Sequence, residues 1–304
     1  MIQFQHSPPP LPIRHGVAPS YVWLQKGNWK TIFEFLNHRF PEIGPAAWQA
    51  RMSRGDVVDD VGNPLTISCS YFWGRRIFYY RELENETSIP FEEQILFQDQ
   101  HILVVDKPHF LPVIPTGRFL HETLLVRLKN KLGIAELSPM HRLDRETAGV
   151  ILFSINASTR GAYQSLFQQR SVRKEYQALA PHLASYSAPF TYRSLMVSGS
   201  PFFRMQEIPG QPNSETSIEI IEKIGELSRY RLLPVTGRKH QLRVHMAALG
   251  VPIINDAFYP VALPCKADDI SQPLKLLARS IHFIDPLTAQ ERYFESQLKL
   301  DLNN

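Results

Sequence analysis

The chain has 304 residues, 43% of them hydrophobic and 20% charged, with a formal net charge of +4. This composition is globular and excludes a disordered or fibrous chain, and no apolar run approaches the ~18 residues of a membrane helix. The length suits two domains, one of them large.

Residues 1–27 are Pro-rich and without periodicity, and read as a tail. From Thr31 to Phe40 the apolar residues Ile32, Phe35, Leu36 and Phe40 recur at helical spacing, and Pro41 stops the helix. Pro45 opens a second helix with Trp48 and Met52 on its buried side. Gly55–Val58 and Asn63–Ile67 read as short strands around the turn Asp60–Gly62. The polar stretch Glu82–Pro90 is a linker. Ile95–Pro108 reads as two strands around Gln98-Asp99-Gln100. A loop, Pro115–His121, and a helix, Thr123–Leu128, lead to the stretch Met140–Ser154, M-H-R-L-D-R-E-T-A-G-V-I-L-F-S.

Here a polar turn runs into Gly149 and the buried strand Val150–Phe153. The turn sits at the mouth of that strand, where a rigid core can aim Asp144 into a cleft. A carboxylate flanked by the guanidiniums of Arg142 and Arg145 is expected to stay ionised. Such a group suits a nucleophile or an electrostatic stabiliser, not a general acid. A surface ion pair of no great worth would have the same composition. The kinase catalytic loop does not fit, since no G-x-G-x-x-G or D-F-G accompanies H-R-L-D.

After Ser154, Asn156 or Ser158 caps a helix bearing Ala162, Leu166 and Phe167. Val172–Ala180 is strand-like, with Lys174, Tyr176 and Ala178 on one face and Glu175 and Gln177 on the other. Leu183–Glu215 reads as loops and a hairpin around Ser198-Gly199-Ser200. Strands resume at Thr216–Ile221 and Tyr230–Val235. Thr236–Gly250 follows as a helix with Leu242, Met246 and Leu249 on one face and Gly250 at its left-handed cap. Between Arg229 and Arg243 stand five basic residues and no acidic one, an excess that can track a phosphate backbone or form a solvated face. His240 and His245 do not share a helix face, so no metal pair is expected. Cys69 and Cys265 cannot make a disulfide framework or a metal cluster. With no signal-peptide pattern at the N-terminus, a reducing, cytoplasmic setting is expected.

H-R-L-D-R-E-T-A-G resembles the signature of the RluA-type RNA pseudouridine synthases, and Asp144 matches the catalytic residue of that family. The resemblance covers residues 91–294 with several motifs in order. D-x-x-x-x-V-V-x-K-P (Asp99 to Pro108) is similar to the opening of the catalytic domain. R-K-E-Y-Q-A is similar to a second motif whose aromatic ring, here Tyr176, packs on the target base. T-G-R-K-H-Q-L-R-V-H is similar to a third, whose arginine, here Arg243, pairs with the catalytic carboxylate. Pro260 replaces the glycine of the family's D-x-x-Y-G, which implies a local loop difference without loss of activity.

The resemblance implies an α+β fold: a mostly antiparallel mixed sheet flanked by helices over residues 91–304. Residues 28–82 resemble, loosely, a small S4-like RNA-binding module, without its usual basic helix face. Arg142, Arg118, Arg145, Lys174, Arg238, Lys239 and His240 are the expected RNA contacts, Arg142 filling the stack vacated by a flipped uridine. The implied partner is tRNA or ribosomal RNA, acted on by a monomer with no membrane association, no cofactor and no metal. Two alternatives stay open at this point. One is a glycoside-cleaving enzyme using Asp144 and Glu146; the other is a non-catalytic RNA-binding or assembly protein.

Overall fold

This computed structural model describes residues 9–83, 85–185, 188–263 and 269–301, so Cys265 and the extreme termini lie outside it. Two units are present, one of Met1–Glu86 with Pro115–His121 and one of Thr87–Ile114 with Glu122–Asn304.

In the first unit Thr31 caps helix α1 (Ile32–Arg39), its hydroxyl accepting from the Glu34 amide at 3.1 Å. Pro45 opens helix α2 (Pro45–Ser53), where a missing amide proton costs nothing. Ile32, Phe35 and Leu36 pack with Trp48 and Met52 in one apolar cluster. Against them lies a three-stranded sheet of β1 (Ser20–Trp23), β2 (Val57–Val58) and β3 (Arg76–Tyr79), ordered β1-β3-β2.

Two expectations are corrected here. Ser20–Trp23 falls in the expected tail yet forms a strand, because its partner is the distant Arg76–Tyr79 and four residues carry too little periodicity to be read alone. Asn63–Ile67 is not a strand. It touches β2 only through the Val58–Pro64 bridge, and Pro64 has no amide to extend a ladder. β2 pairs instead with β3.

The second unit is built on one eleven-stranded sheet. Its strands are β4 (Gln94–Gln98), β5 (Ile102–Lys107), β6 (Ser138–Pro139), β7 (Ala148–Ser154), β8 (Arg173–Pro181), β9 (Phe190–Ser198), β10 (Met205–Ile208), β11 (Ser214–Ile224), β12 (Leu227–Pro234), β13 (Leu276–Ile284) and β14 (Glu291–Glu295). The order is β10-β9-β11-β12-β8-β13-β7-β5-β4, with β14 on β13 and β6 on β7. Every pairing is antiparallel except β7 with β13, so the sheet is mixed and mostly antiparallel, as the sequence implied. Three short helices flank it: α3 (Leu124–Leu132), α4 (Arg160–Gln168) and α5 (Gln241–Ala248). Asn156 does not cap α4; its side chain closes a local turn by accepting from the Ser158 amide at 2.9 Å. No helix among the described residues is long and apolar enough to cross a membrane.

β7 is buried along its whole length. One row of the sheet runs Leu232, Tyr176, Ala278, Gly149, Lys107 across β12, β8, β13, β7 and β5. The row brings the second motif beside the turn that precedes β7. Gly149 is required at its centre, because φ is +113° and a Cβ would come within 2.2 Å of the Ala278 carbonyl oxygen.

The basic stretch 229–243 does not form one cationic face. Arg229 pairs with Glu222 at 2.9 Å, and Arg231 pairs with Glu219 at 2.7 Å and Glu175 at 3.5 Å. Alternation along the strands puts these charges on the side away from Tyr176, where they are neutralised.

Candidate active site

Asp144 occupies the first position of a tight turn, its carbonyl accepting from the Thr147 amide at 3.1 Å, a position that favours Asp. The turn is pinned from below by Lys107, whose ammonium is fully buried. Its Nζ donates to the carbonyls of Pro108 and Leu111, each at 2.9 Å, and of Arg145 at 3.1 Å. Burial pulls the Lys107 pKa down to about 7, with Glu146 and Asp144 working against that fall.

The two arginines beside Asp144 in sequence take different courses. Arg145 donates from Nε to the Phe110 carbonyl and does not line the cleft. Arg142 is exposed at the cleft. The cation that faces Asp144 is Arg243 from α5, its Nη1 lying 3.5 Å from Asp144 Oδ2. Arg243 is only 1% exposed, and burial works against its charge. Asp256, then Asp144 and Glu146, outweigh that and raise its pKa further.

The larger partner of Arg243 is Asp256, which accepts from Nε at 2.8 Å and Nη2 at 2.6 Å. Asp256 Oδ1 also accepts from the amides of Phe258 and Tyr259 at 2.8 and 3.1 Å. A two-point hold of this kind fixes the guanidinium plane and leaves Nη1 directed at Asp144 and Glu146. Nη1 donates to Glu146 Oε2 at 3.4 Å. Both carboxylates therefore share one arginine, and Glu146 does not line the cleft. A pair of carboxylates facing each other across a sugar is not present, which removes the glycoside-cleaving arrangement of Asp144 with Glu146.

Next to this cluster stands His240, which caps α5 with a left-handed backbone (φ 56°) and lies 3.8 Å from Asp144. Burial lowers its pKa to about 4, against the pull of Asp144, so the ring is neutral. His240 lines the cleft as a neutral ring. The hydrogen-bond network assigns its tautomer. Tyr259 Oη accepts from the Met205 amide at 2.8 Å and has no other acceptor among the described residues, so it donates to His240 Nδ1 at 2.9 Å. The ring proton is then on Nε2, the nitrogen that faces Asp144 Oδ1.

Gln241 ties the loop before α5 to the sheet. Its Oε1 accepts from Thr236 Oγ1 at 2.6 Å and the Arg238 amide at 3.1 Å, and its Nε2 donates to the Glu215 carbonyl and Thr216 Oγ1 at 2.9 Å. This holds Arg238 and Lys239 at the rim.

All of this opens into one cleft of about 500 Å³. Tyr176 and Lys174 enter it from one face of β8. Burial raises the Tyr176 pKa, with Asp144 adding to the rise, and the phenol stays protonated. Burial lowers that of Lys174. The lining holds six Lys or Arg residues (142, 170, 174, 238, 239 and 243) and one carboxylate, Asp144. An excess of that size recruits a polyanion. Arg118 belongs to the first unit, where its guanidinium lies 5.2 Å from the Phe119 ring centroid.

Sequence reasoning missed Asp256, Tyr259 as the setter of the histidine tautomer, Lys107 and Arg170. Asp256 and Tyr259 carried a signal, being the conspicuous polar members of Asn255-Asp-Ala-Phe-Tyr259. Arg170 carried none beyond ending α4.

A lone carboxylate steadied by a buried arginine, beside an aromatic ring in a cationic cleft, defines an enzyme that works on one unit of a polyanionic chain. Residues 101–248 match the family described as RNA pseudouridylate synthase. The dual-specificity RNA pseudouridine synthase RluA of Haemophilus influenzae is 32% identical over 207 residues, covering 67% of this chain and 92% of that one. The mitochondrial tRNA pseudouridine(32) synthase of Saccharomyces cerevisiae is 33% identical over 171 residues, covering 55% of this chain and 37% of that one. Among solved structures, human RNA Pseudouridylate Synthase Domain Containing 1 superposes with a TM-score of 0.55 at 25% identity, over 67% of this chain and 83% of that one. The chain belongs to the RNA pseudouridine synthases of the RluA type, and it is an isomerase.

Proposed function

We propose that Asp144 carries the isomerisation of uridine to pseudouridine in tRNA or ribosomal RNA, with Tyr176 and Arg243 completing the site. The observation that supports this most is that Asp144 is the one carboxylate in a cleft lined by six Lys or Arg residues. The reaction breaks the C1′–N1 bond, turns the uracil, joins C1′ to C5 and moves the C5 proton to N1, so substrate and product have the same mass. A uridine within stacked RNA is out of reach and must be everted, at a cost of a few kcal/mol. Arg142, exposed beside Asp144, occupies the vacated stack. Tyr176 holds the everted base by stacking worth roughly 1–3 kcal/mol. Asp144 faces the sugar, where positive charge develops as the glycosidic bond opens, and Arg243 fixes the carboxylate. Lys174, Arg238 and Lys239 contact the phosphates.

The order of two helices followed by short strands supports an S4-like, RNA-binding role for residues 28–82. The likeness to the yeast tRNA pseudouridine(32) synthase favours a tRNA target. Pseudouridine maps of tRNA and ribosomal RNA from cells lacking the protein identify the site.

The direct test is Asp144→Asn, which keeps the side-chain size and removes the anion. Pseudouridine, read by chemical labelling, should fall below detection while RNA affinity stays within a few-fold. An active Asn variant would remove Asp144 from the chemistry.

A further inference from the structure

The outer face of the sheet in the first unit carries an aromatic and cationic cluster that the catalytic site does not use. Tyr21 and Trp23 alternate along β1 and are 54% and 50% exposed. The core of the unit is formed on the other face, from Val22, Val57, Ile77 and Tyr79, while on the outer face Tyr21 packs on the buried Phe78 with ring centroids 5.9 Å apart and both Tyr21 and Trp23 keep half their surface open. Directly across on β3, Tyr21 faces Phe78 and Trp23 faces Arg76. The Arg76 guanidinium lies 5.5 Å from the ring centroids of both Tyr21 and Trp23. It also lies 5.3 Å from the ring centroid of the buried Phe78, so one buried and two exposed rings fix it in place.

Four other arginines of this unit are ion-paired. Arg14 pairs with Asp56, Arg51 and Arg54 with Glu82, and Arg75 with Asp60. Arg76 has no carboxylate partner among the described residues. Its charge is fixed in position by the rings and remains available to an anion.

We propose that Tyr21, Trp23 and Arg76 form a platform for unstacked nucleotides of the substrate RNA other than the uridine that reacts. The proposal rests on the RNA-modifying function above and adds where a second segment of the RNA is held. Bases stack on exposed aromatic rings without sequence preference, and a fixed guanidinium answers the phosphate between them. A protein partner fits less well, because a stable protein interface takes about 20–30 residues a side and this cluster is two rings and one cation.

The test uses the full chain, titrated with the substrate RNA and with an unstructured RNA oligonucleotide, and assayed for turnover. Tyr21→Ala and Trp23→Ala should each weaken RNA binding and raise KM by about 5- to 150-fold, with kcat unchanged. Tyr21→Phe and Trp23→Phe, which keep a ring, should restore most of the affinity. Arg76→Gln should reduce the salt dependence of log K by about 0.7. If the alanine variants lose their fold, the phenylalanine and glutamine variants decide. Unchanged Kd, KM and salt slope in Arg76→Gln and the double alanine variant would overturn the platform, as would a protein partner lost from these variants while RNA affinity is kept. Absence of pseudouridine from the wild-type reaction would instead overturn the enzyme assignment, so the two failures are distinct.

Discussion

Arg243 grips Asp256 through two parallel hydrogen bonds, Nε to Oδ2 at 2.8 Å and Nη2 to Oδ1 at 2.6 Å, with both side chains 1% exposed. Asp144 receives the remaining edge of the same guanidinium, at 3.5 Å. The buried pair is therefore a mount, and the carboxylate in the cleft is what it carries. Removing one partner of a buried pair leaves an uncompensated charge and costs about 3–5 kcal/mol.

Arg243→Lys should lower kcat by about 100-fold or more, since an ammonium cannot hold Asp256 at two points and still face Asp144. Asp256→Asn should lower stability by about 3 kcal/mol and kcat at least tenfold, with RNA affinity within a few-fold. Single-turnover kinetics and chemical denaturation measure both. Near-normal turnover in Arg243→Lys would show that the guanidinium plane is not what positions Asp144.

His240 should show the Nε2–H pattern in ¹⁵N NMR of the ring. Tyr259→Phe removes the hydroxyl that donates to Nδ1, so the same spectrum should report a mixture of tautomers. kcat should fall several-fold with Kd for RNA unchanged. An Nδ1–H ring in the wild-type protein would reverse the assignment.

Gly149→Ala places a methyl group against the backbone of Ala278 at a positive φ. The central row of the sheet cannot open there without separating β7 from β13. The variant should be destabilised by about 3 kcal/mol or more, read as a lower denaturation midpoint. A midpoint within experimental error of the wild type would show that the β7–β13 contact yields more readily than its spacing implies.

Stability should fall with acid below neutrality. Burial lowers His240 and His245 to about 4 in the folded protein, against an ordinary 6.5. Between those values the unfolded chain binds more protons, so the contribution is complete above about pH 6.5 and is lost as pH falls towards 4. From pH 7 to 5.5 each of the two should remove about 1 kcal/mol. His245→Gln should flatten part of the slope, and denaturation curves that do not move over this range would show that the two rings are not held neutral.

Local patterns in the chain were enough for much of this molecule. Thr31 and Pro45 announced the two helices of the first unit, and the alternation of Val172–Ala180 placed Lys174 and Tyr176 on one face. The turn before Val150–Phe153 marked Asp144. Each of these rests on a preference expressed within a few residues, so neighbours in sequence sufficed. They did not suffice for charge. Arg142 and Arg145 flank Asp144 in the chain, yet the turn swings Arg145 to the Phe110 carbonyl.

What the sequence by itself carried was the resemblance to the family, which pointed to Asp144, Tyr176 and Arg243 as site candidates and implied a mixed, mostly antiparallel sheet. Only the tertiary structure decided that Asp256 holds the arginine, that Tyr259 sets the proton on His240, and that Ser20–Trp23 is a strand. The reason is that these depend on which distant strands and loops meet. Sheet register and burial settle that, and a chain read a few residues at a time does not contain them.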